Sequence, residues 1–212
     1  MPFSTIGMEV LGKLLGSEAR VRLLRLFFLN PDTNFDNKII SQRTKTSVEN
    51  ARKELFLFQS VGIVKRCHFT KEFPDRNKKG TTVKKKVYGW CLDKTFPYGE
   101  QLKNLLVSTD LIKKNSIMNR FRNAGNIKLL LISGIFTRND SSRTDIFIVG
   151  DKLKRGVIEN ILRTLEAEAG KELRYAVLDT AEFRYRLSVY DKFVRDVLDY
   201  PHEVIIDRIG VA

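Results

Sequence analysis

The sequence predicts an α+β chain in two parts, a helical N-terminal half that closes in a β-hairpin and a C-terminal half that alternates strands and helices. Apolar residues recur at helical spacing three times before residue 60, and two β-branched and aromatic runs, 63–71 and 82–91, then flank a polar segment. From Asn126 the pattern becomes strand, loop, strand, helix, strand. A chain of 212 residues with 42% hydrophobic composition has enough apolar surface for two cores. The domains are expected at 1–95 and 125–212, with a helical connector at 96–124.

Ser17 and Glu18 open the first strong helix, whose stripe is Val21, Leu24 and Phe28 with Leu23 and Phe27 alongside, and Asn30-Pro31 ends it. A short helix is expected over residues 36–43 with Ile39 and Ile40 inward. After the turn Thr44-Lys45, Thr46 and Glu49 stand at capping-box spacing and open a third helix with Val48, Ala51, Leu55 and Phe58 facing the core. That periodicity places Thr46, Glu49, Asn50 and Lys53 on the solvent side. Two helices joined by a short turn, with polar groups at the start of the second, suit entry into a DNA major groove. There the Asn50 amide can pair with adenine, and Lys53 can reach guanine or a phosphate.

Charge supports a polyanion partner for this half. Residues 1–107 carry 20 Lys and Arg against 10 Asp and Glu, whereas residues 108–212 carry 18 against 15, and the whole chain is +13 with a pI near 9.8. Lys78, Lys79, Lys84, Lys85 and Lys86 crowd nine positions around the hairpin tip, where like charges repel unless phosphates are present.

The apolar stretches 23–29, broken by Arg25, and 129–136, holding Ser133 and Gly134, are far shorter than the roughly 20 residues a bilayer requires, so no membrane partner is expected. The N-terminus lacks the charged start, apolar core and cleavage site of a secretory leader, and a cytoplasmic address is expected. Cys67 and Cys91 read as reduced thiols buried as small hydrophobes, brought near each other by antiparallel pairing of the hairpin. With His68 and His202 they lack the paired spacing of zinc sites, and no cofactor is expected.

The run Gln59-Ser60-Val61-Gly62-Ile63-Val64, leaving the third helix for the first hairpin strand, resembles the helix-to-wing junction of winged helix-turn-helix transcription regulators. The resemblance spans residues 14–92. It implies binding of double-stranded DNA by Arg43, Lys45, Thr46, Ser47, Asn50 and Lys53, with phosphate contacts from Lys78, Lys79, Lys84 and Lys86 in the wing. After residue 97 the sequence turns helical through Leu102, Leu105 and Leu106, then Leu111, Ile112, Met118 and Phe121, a connector suited to a homodimer contact.

Ser133-Gly134-Ile135 and, ten residues later, Thr144-Asp145-Ile146-Phe147 resemble the signature of small nucleotidyltransferase-fold domains. In that family two carboxylates one residue apart hold magnesium against nucleotide phosphates, because strand alternation aims both at the same side. Gly134 and Asp145 match, while Ile135 stands in place of the serine and Phe147 in place of the second carboxylate. The family's third acidic position falls at Asp179, Arg174 or Ala176, and Asp179 reads as a cap for the helix that follows.

The tail through 181–184, 190–198 and 203–206 is similar to the end of proteins that fuse a winged helix to such a domain. These resemblances imply a bacterial or archaeal transcription regulator, not an enzyme, whose C-terminal domain is a vestigial nucleotide site serving as sensor or assembly module, with any effector left open. The alternatives are an active transferase that pairs Asp145 with Asp151 or Asp179, and a nucleic-acid-binding protein without sequence preference. Local spacing offers neither a Ser/His/Asp or Cys/His set nor a GxxxxGK phosphate loop.

Overall fold

Short helices with side-chain caps build the first half of the chain, and a sheet with apolar side chains on both faces builds the second. The computed structural model describes residues 6–74, 81–108, 114–137, 139 and 141–211. The chain divides into two compact units, one holding residues 10–108 and 167–171, the other the remainder. Lys78 and Lys79, and Leu111 and Ile112 of the connector, lie outside the described residues. No described helix is long and apolar enough to cross a membrane.

α1 (Ile6–Leu15), which enters the first unit at Val10, leads to α2 (Glu18–Phe28), where the Ser17 hydroxyl accepts from the Arg20 N–H at 3.1 Å as N-cap. The expected stripe of α2 is buried, and so is Arg25, only 1% exposed. Its guanidinium donates to the Leu106 carbonyl at 3.1 Å and the Glu168 carbonyl at 2.8 Å. Burial pushes it down to about 10, with the Glu168 charge working the other way, so it stays cationic at neutral pH.

Asp36 caps α3 (Asn37–Thr44) by accepting from the Ile39 N–H at 2.8 Å. The chain then turns through Lys45 in the left-handed region, φ 48°. That turn carries the next cap one residue beyond expectation. α4 (Val48–Ser60) is capped by Ser47, whose hydroxyl accepts from the Asn50 N–H at 3.3 Å, and not by Thr46. Thr46 is instead folded inward, 7% exposed, with its hydroxyl on the Thr44 carbonyl, and Val48 is turned outward at 41%. Ala51, Leu55 and Phe58 form the buried stripe.

Gly62, at φ 83°, and the Ile63 N–H bonded to the Phe58 carbonyl at 2.8 Å redirect the chain into β1 (Val64–Pro74). It pairs antiparallel with β2 (Thr82–Leu92) from Val64↔Leu92 to Pro74↔Thr82. Phe35 adds a bridge on the far side of β2, exchanging both backbone bonds with Trp90 at 2.9 Å. α5 (Gly99–Ser108) follows.

In the second unit, after α6 (Lys114–Phe121), a sheet of order β5-β4-β3-β6 is formed by β3 (Asn126–Ile132), β4 (Ile146–Asp151), β5 (Tyr175–Leu178) and β6 (Glu203–Asp207). β3 pairs antiparallel with β4 and β6, while β4 and β5 run parallel through the crossover helix α7 (Arg155–Ala169). Leu130, Ile132, Ile146 and Ile148 pack on one face with Ile117, Phe121, Ile158 and Leu162. Leu129, Leu131, Phe147 and Val149 pack on the other with Phe183 of α8 (Thr180–Ser188) and Val194 and Val197 of α9 (Lys192–Asp199). Double coverage explains why β3 and β4 read as continuous apolar runs.

Cys67 pairs with Gly89 and Cys91 with Lys65, which makes the two thiols diagonal neighbours on one hairpin face, and both are free. Burial, reinforced by Cys91 beside it, pushes the Cys67 thiol up to about 12. The thiolate is the reactive form. In the folded protein at pH 8, Cys67 is therefore expected to react with a thiol reagent at least about tenfold more slowly than in urea. The unfolded, unreduced chain should titrate two thiols, and equal folded and unfolded rates, read by peptide mapping, would refute this placement.

Candidate functional site

The outward side of α4 presents Ser47, Glu49, Asn50, Arg52, Lys53 and Phe56, all exposed. The first turn fixes Ser47 and Asn50 together through the cap, leaving the Asn50 amide in solvent. Lys53 pairs with Glu49 at 2.9 Å across one helical turn, with both side chains more than two-thirds exposed. Such a pair is worth about 0.3–0.5 kcal/mol, so either partner exchanges readily for another ligand. Arg43 stands 5.5 Å from the Phe35 ring centroid, and Lys45 is exposed at the turn before α4. Thr46 does not join this surface.

On the hairpin, Lys84 and Lys86 are exposed, Lys84 with Glu72 3.7 Å away. Register places Arg66, His68, Thr70 and Glu72 opposite Trp90, Tyr88, Lys86 and Lys84, hence on one face. Arg66 is the residue that sequence reasoning missed. Its guanidinium lies 3.9 Å from the Trp90 ring centroid and 5.6 Å from that of Phe56, and the two rings meet edge to face at 6.1 Å. A planar cation stacked in this way keeps its N–H edges toward solvent with little rotational freedom. The signal was the alternation of β1, but it becomes a contact only once the cross-strand register is known.

The second unit brings Gly134 and Asp145 together, as their spacing suggested, but spends the carboxylate internally. A short 3-10 turn, Gly134–Phe136, follows β3. Its Ile135 N–H donates to Asp145 Oδ1 at 3.0 Å, while the Arg174 N–H donates to Oδ2 at 2.7 Å and the Arg174 guanidinium reaches both oxygens at 3.4 Å. Gly134 sits at φ 57°, where an added Cβ would fall 1.9 Å from Oδ1, so no other residue fits beneath this carboxylate. Asp145 is 1% exposed and precedes β4.

Phe147, which replaces the second carboxylate, is buried with ring centroids 6.0 Å from Phe183 and 6.2 Å from Phe193. Asp179 caps α8 through the Glu182 N–H at 2.7 Å, and Asp151 pairs with Lys128 at 2.7 Å. Among the described residues, no three His, Cys, Asp or Glu side chains gather as a metal site needs. Compared with known proteins, the chain matches no family, no curated protein and no solved structure.

The Asp145 geometry has a stability consequence. Asp145→Asn keeps the volume but sets an amide donor against a backbone N–H and removes the charge that Arg174 answers. Urea denaturation is expected to show a loss of about 2–4 kcal/mol. Arg174→Ala should cost less than Asp145→Asn, since the guanidinium contacts are long at 3.4 Å and both backbone N–H groups still hold the carboxylate. Equal losses for the two variants would contradict a backbone-centred carboxylate.

Proposed function

We propose that this protein is a DNA-binding transcription regulator whose first unit is a winged helix-turn-helix. In this reading α3 and α4 form the helix pair, α4 enters the major groove, and β1–β2 is the wing. Asn50 reads a base edge, Lys53 reaches a base or phosphate, and Arg43, Lys45, Lys84 and Lys86 neutralise backbone phosphates. Arg66 joins them from the junction of helix and wing. The observation that carries the reading is the attachment of Trp90, bonded to Phe35 ahead of α3 and packed on Phe56 of α4, which holds a basic hairpin beside a helix whose outward side is polar from its first turn. The helical connector is the proposed homodimer contact, with Leu105 exposed on α5.

The second unit, in the same reading, has a nucleotidyltransferase-like fold without the transfer chemistry and serves as sensor or assembly module. Its support is chemical: the one matching carboxylate is saturated by donors, and the position of the second belongs to an apolar core.

Selection from a random duplex pool, with the full chain as bait, tests the first part by asking whether a sequence is enriched; no enrichment would favour binding without sequence preference. On the enriched site, Asn50→Ala is expected to cost about 1–3 kcal/mol and on random duplex almost nothing. Lys84→Gln with Lys86→Gln should weaken both complexes and reduce the slope of log affinity against log salt by up to about 2. Equal losses on both duplexes for Asn50→Ala would remove that residue from the reading surface.

For the second unit, incubation with magnesium and each labelled nucleoside triphosphate is expected to transfer no label to protein, nucleic acid or small acceptors. Robust transfer by the wild type would defeat the inactive reading.

A further inference from the structure

The hairpin face that begins at Arg66 continues outward into a feature that reading duplex DNA does not require. Beyond the Arg66–Trp90 pair, His68 of β1 stands opposite Tyr88 of β2, with ring centroids 4.4 Å apart and an interplanar angle of 62°. Tyr88 is 74% exposed, and His68 is exposed beside it. Trp90, one step inward on the same face, is by contrast buried under Phe56 and Arg66. The face therefore changes from a structural aromatic to a solvent-exposed aromatic pair within two residues of strand.

The neighbours of that pair are cations. Arg66 precedes His68 by two positions and Lys86 precedes Tyr88 by two, so they flank the rings on the same face, with Lys84 beyond. Among the described residues, Lys86 has no carboxylate partner and the contacts of the Arg66 guanidinium are with rings. Open π-faces set between cations match a nucleobase joined to phosphates, because stacking takes the base and the cations take the backbone. In a fully paired duplex the base faces are covered by their neighbours. They become available only where nucleotides are unpaired.

We propose that this hairpin face binds unpaired nucleotides, one base stacking on the Tyr88–His68 pair and its flanking phosphates meeting Arg66 and Lys86. The protein thereby prefers DNA with a locally opened segment over the same duplex fully paired. This rests on the DNA-binding reading above and narrows its substrate to duplex adjoining single strand.

Fluorescence anisotropy with the full chain distinguishes the two claims, using a labelled duplex, the same duplex with about four central bases unpaired, and the single strand alone. Wild type is expected to bind the opened duplex at least about fivefold more tightly than the paired one, a single stacked base being enough for that difference. Tyr88→Ala should bring the two affinities within twofold without weakening the paired complex, and Tyr88→Phe, which keeps the ring, should retain the preference. A 2-aminopurine in the opened segment should be quenched by wild type and Tyr88→Phe but not by Tyr88→Ala. Equal binding of paired and opened duplex, or an undiminished preference in Tyr88→Ala, would overturn the proposal while leaving duplex binding intact. Binding to none of the three DNAs would overturn both.

Discussion

The first unit depends on the attachment of one residue, Trp90. Its backbone exchanges two hydrogen bonds with Phe35, its indole N–H donates to the Asn37 side chain at 2.9 Å, and its ring underlies both Phe56 and Arg66. An isolated two-stranded ribbon is marginal in water, and these contacts supply a bridge at its edge and the apolar cover it lacks. The approach is close enough to dictate the preceding residue: a Cβ at Gly89 would lie 2.5 Å from the Phe35 carbonyl oxygen and 2.6 Å from the Phe69 ring. Trp90 thus joins α3, α4 and the hairpin at a single point. Any surface made of α4 and β1–β2 together is rigid only as far as that point holds.

The second unit is organised around a charge instead of a ring. Asp145 is almost fully buried, and a carboxylate taken from water is tolerated only when its lone pairs are filled. Two backbone N–H groups and a guanidinium fill them, and the donors come from the turn after β3 and the entry to β5, the strands beside β4 on either side. The carboxylate therefore fastens three strand ends together. What resembles half of a metal site in sequence acts in the fold as a clamp, and Gly134 serves it by leaving room for an oxygen.

Much of this was legible in sequence because it is local. Ser17 and Asp179 announce their helices through hydroxyl or carboxylate caps, and the stripe Ala51, Leu55 and Phe58 follows from spacing alone. The cap of α4 was misplaced by one residue, since Thr46 and Ser47 both offer a hydroxyl and the choice falls to the left-handed turn at Lys45, which periodicity does not reveal. Arg25 looks like a solvent break in an apolar run, yet the carbonyls that solvate it belong to Leu106 and Glu168, 81 and 143 residues away. Arg66 escaped notice for a related reason: its partner Trp90 is reached only through the hairpin register. The spacing of Gly134 and Asp145 was readable, but the fate of the carboxylate was decided by the Arg174 N–H, 29 positions on.

How the cations are paired separates those that hold the fold from those left for a ligand. Lys71 bonds the Asp36 carboxylate at 2.6 Å, both side chains less than a third exposed, and so ties β1 to the cap of α3. Arg20 bonds Glu54 at 2.7 Å and ties α2 to α4. Both are partly buried, and breaking either leaves a charge short of solvent. Lys53–Glu49 and Lys84–Glu72 are open to water on all sides, where an ion pair contributes little and salt screens it further. A phosphate arriving at Lys53 or Lys84 displaces a weak partner, whereas one arriving at Lys71 would have to compete with a helix cap. The same distinction applies along the hairpin: Lys71 is tied to α3, and on the other face Trp90 is anchored to α3 and α4 while Tyr88 and Lys86 beyond it stay exposed.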